Sequence, residues 1–149
     1  MGLFQGFDIC ASGMEAQRFR MDVIAENIAN INTTRTEEDG EPYRRKVVTF
    51  SERYTNGSSF ASTLEQYTGS FKGNGVKVSS VTEDTETDFT MVYDPSHPDA
   101  DENGYVLYPN VNTVTEMTNL IDSTRAYQAN VTAFDALKDL ATYGINIGN

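Results

Sequence analysis

The sequence holds 149 residues, with 22 Asp and Glu against 11 Lys and Arg, for a formal net charge of −11 at pH 7. This balance repels phosphate backbones and anionic lipid headgroups, which argues against nucleic acid and membrane surfaces as partners. Leu, Ile, Val and Phe together number 32 of the 149 residues, little above the fraction of roughly one fifth below which highly charged chains stay disordered. One domain of this length is therefore expected to leave its core incomplete without a partner.

No run approaches the ~20 apolar residues needed to span a bilayer. Met1 to Arg20 lacks the basic start and unbroken apolar block of a secretory signal, being interrupted by Gln5, Asp8, Glu15 and Gln17. Export, if it occurs, is expected to use a route without a cleaved signal. The single cysteine, Cys10, leaves no intramolecular disulfide and no multi-cysteine zinc site. Its place between Phe7 and Met14 suits a small buried apolar residue, without the basic neighbour a reactive thiol requires.

From Gly6 to Ile31 the steps alternate between three and four: Phe7, Cys10, Met14, Gln17, Met21, Ile24, Ile28, Ile31. This narrow stripe predicts a long helix with a coiled-coil seam rather than the wide face of a helix lying on a globular core. Gly13 is expected to weaken the helix by about 1 kcal/mol relative to alanine. Asn30, Asn32, Thr33 and Thr34 favour local side-chain to backbone bonds and should end it.

The middle of the chain switches to a period of two. Arg45 to Tyr54, Val76 to Val81, Asp88 to Tyr93 and Gly104 to Tyr108 carry the β-branched and aromatic residues of short strands separated by Gly and Pro turns. Thr55 to Gly75, rich in Ser, Thr, Gly and Asn, reads as a loop. Thr113 and Glu116 then have the spacing of a capping box that opens a second long helix. Its stripe runs Val114, Met117, Leu120, Ile121, Tyr127, Val131, Phe134, Leu137 and Ala141, with Gly144 as the expected stop.

The expected fold is α+β: two long terminal helices in an antiparallel, coiled-coil-like pair, with a small β-rich region between them. The expected organisation is residues 1–34 as the first axial helix, 35–109 as the β-rich region with its 55–75 loop, and 110–149 as the second axial helix. The two terminal segments would pack as one core. Two helices of roughly 40 Å cannot cover each other's stripes on all sides, so copies of the same or related chains are the simplest cover. The candidate interface comprises Phe7, Met14, Met21, Ile24, Asn27, Ile28, Asn30, Ile31, Met117, Leu120, Ile121, Tyr127, Gln128, Asn130, Val131 and Phe134. Its amides Asn27, Asn30, Gln128 and Asn130 are suited to fixing register, since a buried amide is satisfied in only one alignment.

Several patterns invite chemistry and then fall short of it. Asp99, Asp101, Asn103 and Gly104 resemble the first half of an EF-hand loop, but its twelfth position is Asn110 instead of glutamate, and Pro109 precedes it. His97, the only histidine, has carboxylates nearby but neither a nucleophile nor a second nitrogen ligand in a recognisable arrangement. Neither catalysis, nor a cofactor, nor a metal, nor a small-molecule substrate is expected. Arg44, Arg45 and Lys46 form the only basic triplet, while Val78 to Thr124 holds no Lys or Arg and many carboxylates. The triplet reads either as a charged strand edge that blocks unwanted pairing or as a candidate electrostatic interface between copies.

Five segments carry a resemblance. They are Ala16-Gln17-Arg18-Phe19-Arg20-Met21 with Ile24-Ala25-Glu26-Asn27-Ile28-Ala29-Asn30; Asn32-Thr33-Thr34-Arg35-Thr36 with Pro42-Tyr43-Arg44-Arg45-Lys46; Tyr93-Asp94-Pro95-Ser96-His97-Pro98-Asp99-Ala100-Asp101; Gly104-Tyr105-Val106 with Pro109-Asn110-Val111-Asn112; and Glu116-Met117 leading to Arg125-Ala126-Tyr127-Gln128-Ala129-Asn130-Val131. Together they resemble the flagellar basal-body rod proteins of the rod and hook axial family, and among them a component of the proximal rod. The resemblance implies a non-enzymatic subunit whose terminal helices line the inner core of a tubular drive shaft, with the β region outside. It further implies export by the flagellar type III apparatus. The implied partners are copies of the same chain, other rod proteins, the membrane-anchored basal-body ring and the rod-base adaptor. Two other readings remain at this point: a secreted calcium-binding or adhesive module, and an acidic coiled-coil adaptor.

Overall fold

The helical and strand periodicities resolve into α1 (Leu3–Ala29), β1 (Lys46–Glu52), β2 (Val76–Glu83), β3 (Thr90–Tyr93), β4 (Tyr105–Tyr108) and α2 (Thr113–Ile147). The computed structural model describes residues 3–36, 40–53 and 73–147; most of the loop expected over 55–75 lies outside them. At 1.5 Å per residue the helices are roughly 40 Å and 52 Å long. They pack side by side and run antiparallel. The Phe7 ring meets Phe134 edge-on at 4.9 Å, Gly13 faces Asn130, Met21 Sδ accepts from Thr124 Oγ1, and Asn27 reaches Glu116.

The expected α+β arrangement of paired terminal helices and small hairpins is what the chain adopts. In detail α1 departs from a narrow seam. Its opposite face carries the β1–β2 ribbon, so Ser12, Ala16 and Val23 are buried along with the seam residues Cys10 and Ile24. β1 runs down this face: Asn27 bonds the backbone of Lys46, Arg20 stacks on the Phe50 ring at 3.9 Å, and Arg53 comes within 4.0 Å of Glu15. β2 pairs antiparallel with β1, with a bulge at Thr49/Phe50 that increases the twist of the ribbon. The ribbon is anchored where Val76 N–H donates to Ser12 Oγ, and the preceding residue is Gly75 on two counts: its φ is +88°, and a Cβ there would collide with that hydroxyl.

The second seam also differs from the apolar stripe drawn on the sequence. Inward-facing positions on α2 step Glu116, Leu120, Ser123, Tyr127, Asn130, Phe134, Leu137, Ala141, an unbroken alternation of four and three. Val114, Met117 and Ile121 lie on the outer face and are exposed. The stripe followed apolar residues, whereas the register is set by the buried Glu116 carboxylate, and the buried Ser123 hydroxyl is satisfied within α2 by the Asn119 carbonyl. The cap is Asn112, whose Oδ1 accepts from Val114 and Thr115 N–H, so Glu116 is not half of a capping box. Gly144 does not stop the helix, which continues to Ile147.

Gly13 likewise has a reason that helix propensity hides. A Cβ there would lie 2.7 Å from Asn130 Oδ1 and 2.9 Å from its Cγ, and crowding of this kind typically costs about 1–3 kcal/mol. Gly13→Ala is therefore expected to lower the melting temperature, although alanine is the better helix former by about 1 kcal/mol. Adding Asn130→Ala should convert that loss into a net gain, measured by thermal denaturation of the single and double variants.

Candidate functional site

The most densely bonded part of the molecule is a polar knot where α1, the start of β1 and the first turn of α2 meet. Asn27, 1% exposed, uses its whole hydrogen-bonding capacity. Oδ1 accepts from Tyr43 hydroxyl at 2.8 Å and Lys46 N–H at 2.9 Å; Nδ2 donates to Lys46 carbonyl at 2.9 Å and Glu116 Oε2 at 3.0 Å. The side-chain amide thus stands in for a neighbouring strand at Lys46. Asn110 does the same one residue earlier: its Oδ1 accepts from Arg45 N–H, while its Nδ2 donates to the Asp84 and Thr87 carbonyls.

Glu116 is fully buried, and a carboxylate without water needs partners. It receives Arg45 Nε at 2.8 Å as well as Asn27. The Arg45 guanidinium also lies 3.6 Å from Asp84. The Asp84 carboxyl is held below its ordinary range chiefly by the Thr87 amide, helped by the Thr87 hydroxyl, the Glu86 amide and Arg45. Burial raises the Tyr43 hydroxyl well above its usual range, reinforced by Glu26, Glu116 and Glu83, so it remains a donor to Asn27.

The basic triplet is engaged within the chain: Arg44 lies over the Phe89 ring at 4.3 Å, Arg45 bonds Glu116 and Asp84, and Lys46 Nζ reaches Glu26 at 2.6 Å. Of the other candidate residues, Ile24 and Asn27 are buried inside the chain, and Phe7, Met14, Met21, Ile28, Asn30, Ile31, Leu120, Tyr127, Asn130, Val131 and Phe134 are half-buried along the helix pair. Ile31 lies beyond the end of α1. Met117, Ile121 and Gln128 face solvent. Asn30 and Asn130 donate to the carbonyls of Glu26 and Ala126 in their own helices.

In the former EF-hand segment, Asp101 Oδ1 accepts from the amides of Asn103 and Tyr105, and Asp99 accepts from Thr34 and pairs with Arg35 at 3.1 Å. Asp99 thus ties the β3–β4 loop to the exit of α1, while Asp101 closes the turn itself. His97 Nδ1 accepts from Asp99 N–H and its ring packs near Tyr108. Sequence reasoning missed Tyr43, Asn110 and Glu116 as a unit. The signal was present in the unbroken heptad spacing from Glu116 to Ala141, which places a charged residue on the seam.

The surface left over is apolar and lies at distinct places. Val114, Met117 and Ile121 line the outer side of α2, and Phe4, Leu140, Tyr143 and Ile145 cluster toward the opposite end of the helix pair, where α2 overhangs α1.

Comparison with known proteins agrees with a part in an assembly. Residues 7–35 match the family described as flagella basal body rod protein, and residues 102–147 match flagellar basal body rod FlgEFG protein C-terminal. The chain is 48% identical over 153 residues to the flagellar basal-body rod protein FlgC of Bacillus subtilis, covering 99% of both chains. It is 42% identical over 144 residues to FlgC of Borreliella burgdorferi, covering 94% of this chain and 93% of the relative. With FlgC of Salmonella typhimurium the identity is 39% over 148 residues and covers 99% of both.

Two outcomes test the knot. Removing the cation from a fully buried carboxylate strands its charge, so Arg45→Ala should cost roughly 3 kcal/mol or more in unfolding free energy, measured by denaturant titration. Because the Asp84 carboxyl is held down in the folded state, its contribution is complete above the unfolded value of about 3.9. That contribution fades as pH falls through the lower folded value. Asp84→Asn should flatten the acid side of a melting temperature against pH curve while leaving its shape above pH ~5 unchanged.

Proposed function

The chain belongs to the FlgC family of flagellar basal-body rod proteins and is a non-enzymatic structural subunit of the rod, and we propose that it builds the proximal, periplasmic part as one element of a tubular drive shaft. In this reading both terminal helices pack side by side with those of neighbouring subunits, and the β1–β2 ribbon and β3–β4 hairpin lie outside them. The observation that carries it is an antiparallel helix pair locked by the Asn27–Glu116 contact that leaves Val114, Met117 and Ile121 bare on the outer side of α2. Each large side chain there gains about 1.5–3 kcal/mol if fully covered, so assembly completes a core the single chain lacks.

The neighbours proposed are copies of this chain, other rod proteins, the membrane-anchored ring and the rod-base adaptor. Among the described residues no helix is long and apolar enough to cross a membrane, and the proposed path outward is the flagellar type III export apparatus without a cleaved signal. Torque transmission asks that the helix pair and the β region turn together, and the Asn27–Glu116–Arg45 knot supports this by joining α1, β1 and α2 through the buried Asn27 and Glu116 and the half-buried Arg45.

Ile24→Asp is a poor probe, since it strikes the interior of the subunit. Val114→Asp with Ile121→Asp places charge on positions already exposed and should leave helix content by circular dichroism unchanged. In cells lacking the native chain the unaltered chain should restore rods and swimming, and this double variant should restore neither. Normal rods from the double variant would remove the outer side of α2 from the interface.

A further inference from the structure

The β3–β4 hairpin is joined to the rest of the molecule through its flanking loops, at Asp99 and Asn110. Among the described residues the Cα atoms of its two strands lie more than 8 Å from those of α1, α2, β1 and β2, and a two-stranded sheet with an uncovered face is marginally stable in water. Register explains what is left bare. Met91 pairs with Leu107 and Tyr93 with Tyr105, which puts these four on one face, while Val106, directed the other way, is 1% exposed. Met91 and Tyr93 are 63% and 64% exposed, and the Tyr93 and Tyr105 rings meet edge-on at 5.2 Å. The surround is acidic: Asp94 follows Tyr93, Asp101 caps the turn at Tyr105, and Glu102 and Asp88 are exposed.

A small sheet with one apolar face is completed by a helix laid across it. The same chain offers such a helix face in Val114, Met117 and Ile121, with Val114 as much as 74% exposed. Seven residues of helix span roughly 10 Å, close to the span of two paired strands that are three residues deep. One turn beyond Ile121 in the same row is Arg125, which is exposed and, among the described residues, has no carboxylate within ion-pair distance. One patch is apolar with an acidic border and the other is apolar with a free cation at its end.

We propose that the β3–β4 hairpin of one copy lies across the outer face of α2 of the next copy, with Arg125 toward Tyr93, Tyr105 and their flanking carboxylates. This deepens the rod reading and rests on it: the contact joins two different surfaces, so it propagates from copy to copy instead of closing a symmetric pair. It gives the hairpin its missing layer and uses charge to set which end meets which.

The test is oxidative cross-linking of the full chain in a Cys10→Ala background carrying Met91→Cys and Ile121→Cys. In isolated basal bodies the doubly substituted chain should give dimers and longer covalent products at least tenfold above either single substitution, and Arg125→Glu should lower that yield several-fold. Incorporation into basal bodies without cross-links would overturn the contact while leaving the rod role intact. Dimers from Met91→Cys alone would replace it with a symmetric hairpin pair, and a bond within one chain would refute it. If the unaltered chain is absent from basal bodies the rod role fails, and the same oxidation on concentrated purified chain then decides the contact by the same products.

Discussion

One buried carboxylate organises this molecule. Glu116, removed from water in the first turn of α2, is tolerable only because Arg45 and Asn27 are both delivered to it. Arg45 arrives because Asn110 holds its amide, and Asn27 arrives because α1 runs antiparallel to α2 in one register alone. A slip by one turn would leave an uncompensated charge and several unpaired backbone groups inside, at a cost of several kcal/mol. Alignment of the helix pair and attachment of the β region are thus the same event, since Asn27 bonds Lys46 at the start of β1 with the amide that also reaches Glu116.

With register fixed by polar groups, apolar residues are released from that task. Leu120, Tyr127, Phe134 and Leu137 still fill the seam, but Val114, Met117 and Ile121 are free to face outward. A single chain of this composition buries few large apolar side chains; among those described, Cys10, Ala16, Val23, Ile24, Tyr43 and Val106 make up the buried apolar set. In the proposed rod packing that shortage becomes a driving force, because neighbours would hide the outward apolar side chains.

Much of this was legible in the sequence. The alternation of three and four from Phe7 to Ile28 gave α1, the break at Asn30 its end, and the period-two segments the four strands. The words around Asn27 and Tyr93 resembled the rod family. What the sequence concealed was direction. On α2 the apolar stripe follows the seam from Leu120 through Tyr127, Phe134, Leu137 and Ala141, but in the first turns Met117 and Ile121 outrank Glu116 and Ser123 by hydropathy and draw it to the outer side. Gly13 looked like a propensity defect because the Asn130 side chain opposite it is 117 positions away in sequence. Arg45 looked like surface charge because its partners, Asp84 and Glu116, come from two other segments of the chain. The Gly13 and Arg45 misses are long-range polar contacts, a class of information that local pattern does not carry.

In the proposed assembly the outer side of α2 is open in the free subunit and closed in the rod. Met117→Cys in a Cys10→Ala background, treated with a maleimide as free chain and again in isolated basal bodies, measures this directly. The expected result is rapid labelling of the free chain and at least tenfold slower labelling in the rod. Equal rates in both states would contradict the claim that this face is what assembly buries.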